Sequence, residues 1–384
     1  MGFERENQNV TASDLLGALA SGDDIQVSGC TVTGVLDVNR LFDPAEKFET
    51  ENLHVRPEDD RKIVTLSQTI VFDKCVFEGN VVFGGPWSEP DSVTVHFTKD
   101  VIFNSSTFNG QCRFRNAYFD GAAGFDGCVI GGVLTFKNAV FKQDAKFRTV
   151  ECSGYSLFGS TVFEGSARFA NTHFGKGVNF TEARFLGETD FGGVYSSSRA
   201  VPVYDSIYFG RRFYGQDDSF WRFVKQSATE AGYYRLAGEC FYNERCAGLW
   251  RRWLGGGFLN LSMADKVKRV FSGIRLLPEF IFGRLLFGYG ERPVRVLGAS
   301  VIIILFFAVL FSANGALDSR EDQNQPGFMQ GLYFSTITFT TLGYGDLYPS
   351  VRYFWRQLAM IEALTGGCLM ALFVVCLAKR FSRG

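Results

Sequence analysis

The sequence predicts a multidomain chain: a β-solenoid built on an eleven-residue double unit, then an α-helical linker, then a membrane unit of two spanning helices with a short re-entrant helix between them. Three observations carry this reading. Large apolar residues recur in alternating steps of six and five from Phe97 to Phe191. Two long apolar segments, residues 294–313 and 357–378, follow much later in the chain. Between them stand a short amphiphilic run, residues 327–339, and the stretch Thr340-Thr341-Leu342-Gly343-Tyr344-Gly345-Asp346.

Composition removes several classes of function. In 384 residues, Lys+Arg 39 balance Asp+Glu 40, so no global basic charge invites nucleic acid. Phe 41 and Gly 43 are the outliers, a bias that points to a repeat. Nine cysteines (Cys30, Cys75, Cys112, Cys128, Cys152, Cys240, Cys246, Cys368 and Cys376) contain no CxxC pair and read as reduced, mostly buried thiols. His54, His96 and His173 lie far apart, and no HExxH, GxSxG, phosphate-loop or dinucleotide motif occurs; the expectation is a protein that is not an enzyme and needs no cofactor. The first residues lack the apolar core of a signal peptide, and Met-Gly without Ser or Thr at position 6 fails the myristoylation pattern.

Residues 11–21 read as a short helix with Thr11 as N-cap and Asp14 in its first turn, the centre of a capping element over residues 1–24. A solenoid needs such a cover at its open end. The repeat itself runs Phe97, Phe103, Phe108, Phe114, Phe119, Phe125, Ile130, Phe136, Phe141, Phe147, Cys152, Phe158 and onward to Phe191. A small or β-branched residue stands two positions before most of these, as at Cys112, Ala117, Ala139, Ala145, Ala167 and Thr172. The register extends back through Leu66, Phe72, Phe77 and Phe83, and more faintly through Val27, Val32 and Val38. A helix would turn about 140° and 240° over steps of five and six, which splits the Phe residues onto two stripes. On a short strand, by contrast, residues two apart share the inner face. Each step of five or six then makes one side and its corner, and residues 25–196 make the solenoid. The charged stretch 56–62 and the nine residues 84–92 read as corner loops, with Trp87 the best exposed anchor if the solenoid has a partner.

This pattern resembles the pentapeptide-repeat family. The resemblance implies a right-handed, four-sided β-helix, here with an extra residue in every second unit and so about 22 residues per coil instead of about 20. About six coils at strand spacing give a rod of about 30 Å.

Residues 197–292 form the linker. A helix with an acidic, capped N-terminus starts at Asp217 and a second covers residues 231–253; Phe220, Phe223, Val224, Tyr234, Leu236, Phe241 and Leu249 supply apolar residues that cap the solenoid. Gly255 to Gly257 is a hinge. Residues 259–286 mix Lys266, Lys268, Arg269, Arg275 and Arg284 with Phe, Leu and Ile at helical spacing, which suits a membrane surface with acidic lipid headgroups. Pro293 opens the first spanning helix.

In residues 293–384, basic Arg295, Lys379, Arg380 and Arg383 flank the apolar segments, while Asp318, Glu321 and Asp322 lie in the loop between. By the positive-inside rule both termini are cytoplasmic, in a two-pass protein of the cell membrane. The run 327–339 is too short to span and suits a half-helix buried in protein. Helix, half-helix, TTLGYGD and helix together resemble the two-transmembrane potassium channels, with Leu342 at the place of Val. That resemblance implies a homotetramer, K+ sites made by the carbonyls of Thr341, Leu342, Gly343 and Tyr344 with the Thr341 hydroxyl, and Gly345 closing the filter. Tyr344 would pack sideways, and Thr340, Asp346 and Glu362 would support the filter. Glu362, a carboxylate inside a spanning helix, is either hydrogen-bonded behind the half-helix near Thr336 or Thr338, or faces the cavity as a cation site. Gly366 and Gly367 are a candidate inner-helix hinge, with close helix packing as the other explanation.

The function expected is a tetrameric potassium-selective pore whose cytosolic solenoid has a regulatory or assembly role. The alternatives are a weakly selective cation channel and a membrane-anchored scaffold whose solenoid binds a protein partner.

Overall fold

The computed structural model describes residues 2–46, 48–50, 53–58, 61–85, 93–197, 200–319, 327–351 and 353–381. Trp87, Glu321, Asp322 and Arg383, and the side chain of Arg380, lie outside the described residues. The chain divides into two compact units, Met1–Val270 and Phe271–Gly384.

In the first unit, successive short strands visit four sheets in turn: Val101–Ile102, Thr107–Phe108, Cys112–Arg113, Tyr118–Phe119, and then Ala123–Gly124 beside the first. Strands within a sheet pair in parallel, Val101 with Ala123 and Ala123 with Ala145, so the chain returns to the same side 22 residues later. The inner column is aromatic. Phe119 stacks on Phe141 at 4.7 Å between ring centroids, and Phe141 on Phe163 at 5.0 Å. Rings of neighbouring columns meet edge to face instead, as Phe136 and Phe147 do at 5.2 Å and 73°. Offset stacking along the solenoid and T-shaped contact across it are the two arrangements that the ring quadrupole favours.

The backbone explains why the steps alternate. Positive φ recurs at Ser105, Asn116, Gly127, Asn138, Thr149, Ser160, Asn171, Glu182 and Gly193, once in each five-residue step. One left-handed residue makes that corner tight. The six-residue corner stays wider but brings coils together: a Cβ on Gly154 would lie 2.1 Å from the carbonyl oxygen of Gly132. Threonines at the small position bond back to an earlier coil, as Thr161 Oγ1 donates to the Phe136 carbonyl at 2.8 Å. Among the nine free cysteines only Cys368 is exposed. Burial pushes the Cys128 thiol up to about 12, which leaves it unreactive.

Both ends of the solenoid differ from the sequence expectation. Gly2–Glu6 pairs with Asp24–Ser28, and Asn9–Thr11 with Thr31–Thr33, so strands precede the capping helix and the solenoid begins before residue 25. Charged residues hid the first strand, because it is a terminal edge strand, where charge is favoured. Helix α1 (Ala12–Ser21) then buries Leu15, Leu16 and Leu19 over the open end. Thr11 caps it by accepting from the Asp14 amide, while Asp14 accepts from the Thr11 amide, each at 3.1 Å. At the other end Tyr208–Phe209 pairs with Arg184–Phe185, which carries the solenoid past residue 196. Two extra residues in that last interval broke the period without breaking the fold, and Phe209 still stacks on Phe185 at 5.2 Å.

On either side of residues 59–60, which lie outside the described residues, the charged stretch near residue 56 belongs to two antiparallel strands, His54–Glu58 and Arg61–Leu66. Val27 and Val32 pair with Phe72 and Phe77, so the faint early register belongs to true coils separated by a long excursion. Val38 opens a short 3-10 helix.

Helix α2 (Asp218–Glu230) closes the far end, with Phe220 at 5.2 Å from Phe191 and 5.3 Å from Phe209. Helix α3 (Tyr234–Trp253) packs on α2 through Glu244, which meets Lys225 at 2.6 Å and Arg222 at 3.0 Å. Two expectations need correction. Tyr234 is exposed, since it begins α3 on the outer side. Asp217 does not cap α2; its carboxylate accepts from the Trp221 indole at 2.8 Å, and burial pushes it above the usual carboxylate range. Gly255 has φ +74 and leads into a 3-10 turn, Gly256–Asn260. Helix α4 (Met263–Ser272) leaves Met263, Val267, Val270 and Phe271 exposed on one face.

The second unit takes the last two residues of α4 and continues with a 3-10 turn, Gly273–Leu276, and a π-helix, Glu279–Leu286. Helix α5 (Pro293–Phe311) begins on its proline, which suits the first helical position. Helices α6 (Phe328–Phe339) and α7 (Tyr353–Phe381) complete it. Helices α5 and α7 are long and apolar enough to cross a membrane. An antiparallel strand pair, Leu317–Ser319 with Leu347–Pro349, joins the connections on either side of α6 and was not foreseen.

Replacing Phe136 by Ala is expected to destabilise the solenoid by about 3–5 kcal/mol. Tyr155→Ala, on the outer surface, should stay within about 0.5 kcal/mol. Urea unfolding followed by far-UV circular dichroism distinguishes the two.

Candidate functional site

Helix α6 sets the position of TTLGYGD. Its buried residues, Gly331, Phe334, Ser335, Ile337 and Phe339, recur at helical spacing. Gly331 meets α5 so closely that a Cβ there would lie 2.4 Å from the Ala308 carbonyl oxygen. The helix ends at Thr340, whose hydroxyl donates to the Thr336 carbonyl at 2.7 Å. The amides of Leu342 and Gly343 both turn back to the Ile337 carbonyl, at 2.9 and 3.3 Å. This winds the chain tightly out of the helix.

Beyond it the backbone alternates. Thr341, Gly343 and Gly345 have φ of +58, +51 and +76, while Leu342 and Tyr344 between them do not enter the left-handed region. In an ordinary strand successive carbonyls point to opposite sides. Alternation between left- and right-handed conformations lets them face the same way, and glycine makes two of the three left-handed residues inexpensive. Residues 341–346 are all exposed on the single chain, with Leu342 at 60% and Tyr344 at 70%. The sideways packing expected for Tyr344 is therefore not supplied by its own chain. The Thr341 hydroxyl donates to the Thr340 carbonyl at 2.7 Å. Asp346 accepts from the Tyr333 hydroxyl at 2.8 Å, and that bond holds its carboxyl below the usual carboxylate range.

Glu362 is fully buried, with its Oε1 in hydrogen-bond contact with Ser335 Oγ. The position behind α6 agrees with one of the two sequence readings, but the partner is Ser335 and neither Thr336 nor Thr338. Thr336 lies one residue further, about 100° round the helix, on an exposed face, where its hydroxyl donates to the Leu332 carbonyl at 2.7 Å. Ser335 also reaches α5, lying 2.9 Å from the Ile304 carbonyl oxygen.

Helix α7 is continuous through Gly366 and Gly367, and the two glycines differ. A Cβ on Gly366 would stand 2.1 Å from the Phe339 carbonyl oxygen, whereas one on Gly367 would meet nothing within 4 Å. Close packing against the end of α6 accounts for Gly366. At the far end of α7, Lys379 pairs with Glu291 at 2.7 Å and reaches the Tyr289 carbonyl at 3.4 Å. Sequence reasoning missed Gly331, Tyr333 and Ser335. The signal for two of them was available: Gly331 and Ser335 are small residues four apart, the spacing at which membrane helices approach closely.

Residues 299–383 match the family described as ion channel, and residues 147–194 match the family described as pentapeptide repeats (9 copies). No curated protein and no solved structure matches the chain. The chain thus joins a solenoid-like domain of pentapeptide repeats to an ion-channel region with two membrane-capable helices.

Gly366→Ala is expected to weaken the α6–α7 contact and lower the thermal stability of the detergent-solubilised protein, while Gly367→Ala leaves it unchanged. Equal effects from both would remove the packing account of Gly366.

Proposed function

We propose that the chain forms a homotetrameric, potassium-selective pore in the cell membrane. The observation that carries this is the alternating φ at Thr341, Gly343 and Gly345 within TTLGYGD, directly after a buried half-helix in a region that matches an ion-channel family. Aligned carbonyls of Thr341, Leu342, Gly343 and Tyr344 replace the hydration shell of a potassium ion, and four chains around one axis close each ring of oxygens. The exposed Leu342 and Tyr344 find their packing against neighbouring copies. Gly345 allows the last turn, Thr340 and Asp346 anchor the two ends of the filter, and Glu362 supports it from behind. The C-terminal end of α6 contributes its partial negative charge to the cavity that holds the entering cation.

Charge supports the orientation: Arg295 and Lys379 stand at the ends taken as cytoplasmic, and Asp318 on the opposite side. The exposed apolar face of α4, with Lys266, Lys268 and Arg269 beside it, suits the acidic headgroups of the inner leaflet. The solenoid, wound right-handed as the repeats imply, serves regulation or assembly on the cytosolic side, where its outer surface is open to a protein partner.

Liposomes holding the purified protein should pass potassium in preference to sodium, with block by barium. Gly343→Val puts a β-branched side chain at φ +51, a conformation that costs such residues at least about 1–2 kcal/mol, and is expected to abolish the potassium flux. Undiminished flux through that variant, or none through the wild type at any tested voltage, pH or lipid composition, contradicts the pore.

A further inference from the structure

Three helices meet at one buried point. Ser335 of α6 has its hydroxyl oxygen 2.9 Å from the Ile304 carbonyl oxygen on α5 and in hydrogen-bond contact with Glu362 on α7. Both Ser335 and Glu362 have no exposed surface. One helical turn further along each of α6 and α7, Gly366 admits the Phe339 carbonyl. Two contacts spaced by four residues on both helices therefore set the register of α6 against α7. Thr340, where the filter begins, follows Phe339 directly.

Counting protons gives the joint a direction. A serine hydroxyl has one proton to donate, and a carbonyl can only accept. If Ser335 donates to Ile304, the proton shared with Glu362 must come from the carboxyl. The opposite arrangement leaves the Ile304 contact without a donor and buries an ionised carboxylate on a single neutral hydroxyl. Glu362 Oε2 has no hydrogen-bond partner among the described residues, and no described cation pairs with the carboxylate. An orphaned neutral oxygen is far less costly in such a place than an orphaned charge.

We propose that Glu362 is a positioning residue which donates a hydrogen bond from its own carboxyl proton to Ser335, so that a chain running Glu362 to Ser335 to Ile304 ties α7, α6 and α5 behind the filter. The proposal rests on reading residues 340–345 as the filter. It excludes Glu362 as an ionised cation site, and it makes a donor, not a charge, the requirement at position 362.

The test compares Glu362→Gln, Glu362→Met and Ser335→Ala in the full-length protein in liposomes. The Gln amide keeps a donor, so Glu362→Gln should retain the discrimination of potassium over sodium within about twofold. Glu362→Met and Ser335→Ala break the chain and should lose it by about tenfold, the scale of one buried hydrogen bond. The infrared spectrum of the wild type should contain the carbonyl band of an un-ionised carboxylic acid, missing from Glu362→Gln. Selectivity of Glu362→Met equal to wild type, impairment of Glu362→Gln equal to that of Glu362→Met, or absence of the acid band each overturns the proposal. A wild type without potassium selectivity refutes the filter reading instead. The donor chain is then judged by the acid band and by a higher thermal stability of Glu362→Gln over Glu362→Met.

Discussion

Backbone amides and carbonyls taken out of water must find partners, and each unit of this chain meets that demand in its own way. In the solenoid the partner of a strand lies one coil away, at 22 residues, so no coil is satisfied alone and the terminal ones need a cover. Helices α1 and α2 supply the covers. In the second unit the helices satisfy themselves, which is what a hydrocarbon environment requires. The stretch after Thr340 is the exception. There φ alternates in sign and residues 341–346 stand exposed on the single chain; in the pore we propose, a permeating cation is the ligand of their carbonyls.

The phenylalanine column shows how side chains act under this constraint. Coil spacing is set by hydrogen bonds, and a ring stacked at 4.7–5.0 Å fills that spacing. Edge-to-face contact between columns then fills the width. Thr161 and Thr172 at the small positions are tolerated because each hydroxyl finds a carbonyl on an earlier coil. Repetition thus turns one favourable arrangement into a whole domain.

Packing in the second unit depends on small residues. Gly331 lets α6 approach α5, and Gly366 lets the end of α6 approach α7. Between these contacts sits the buried carboxyl–hydroxyl joint of Glu362 and Ser335. Short contacts hold the half-helix on both sides, so the segment that follows it inherits a defined start. The proposed filter, which relies on carbonyl positions, needs such a start.

Much of this was legible in the sequence, because periodicity and chemistry are local properties. The eleven-residue repeat, the capping helix with Thr11 and Asp14, the two apolar segments and the glycines of TTLGYGD are all patterns within short windows. The limits of the solenoid were not. Gly2–Glu6 reads as a polar tail until its pairing partner at Asp24–Ser28 is known, and Tyr208–Phe209 falls out of register by two residues while still pairing. The partner of Glu362 was equally hidden, since one residue's difference on α6 turns a side chain by about 100°. Only the packing of α6 between α5 and α7 decides that Ser335, and not Thr336, faces inward. Sequence alone determined which segments repeat, span and bend; tertiary structure decided where the coils end and which side chains meet, because those depend on contacts between residues far apart in the chain.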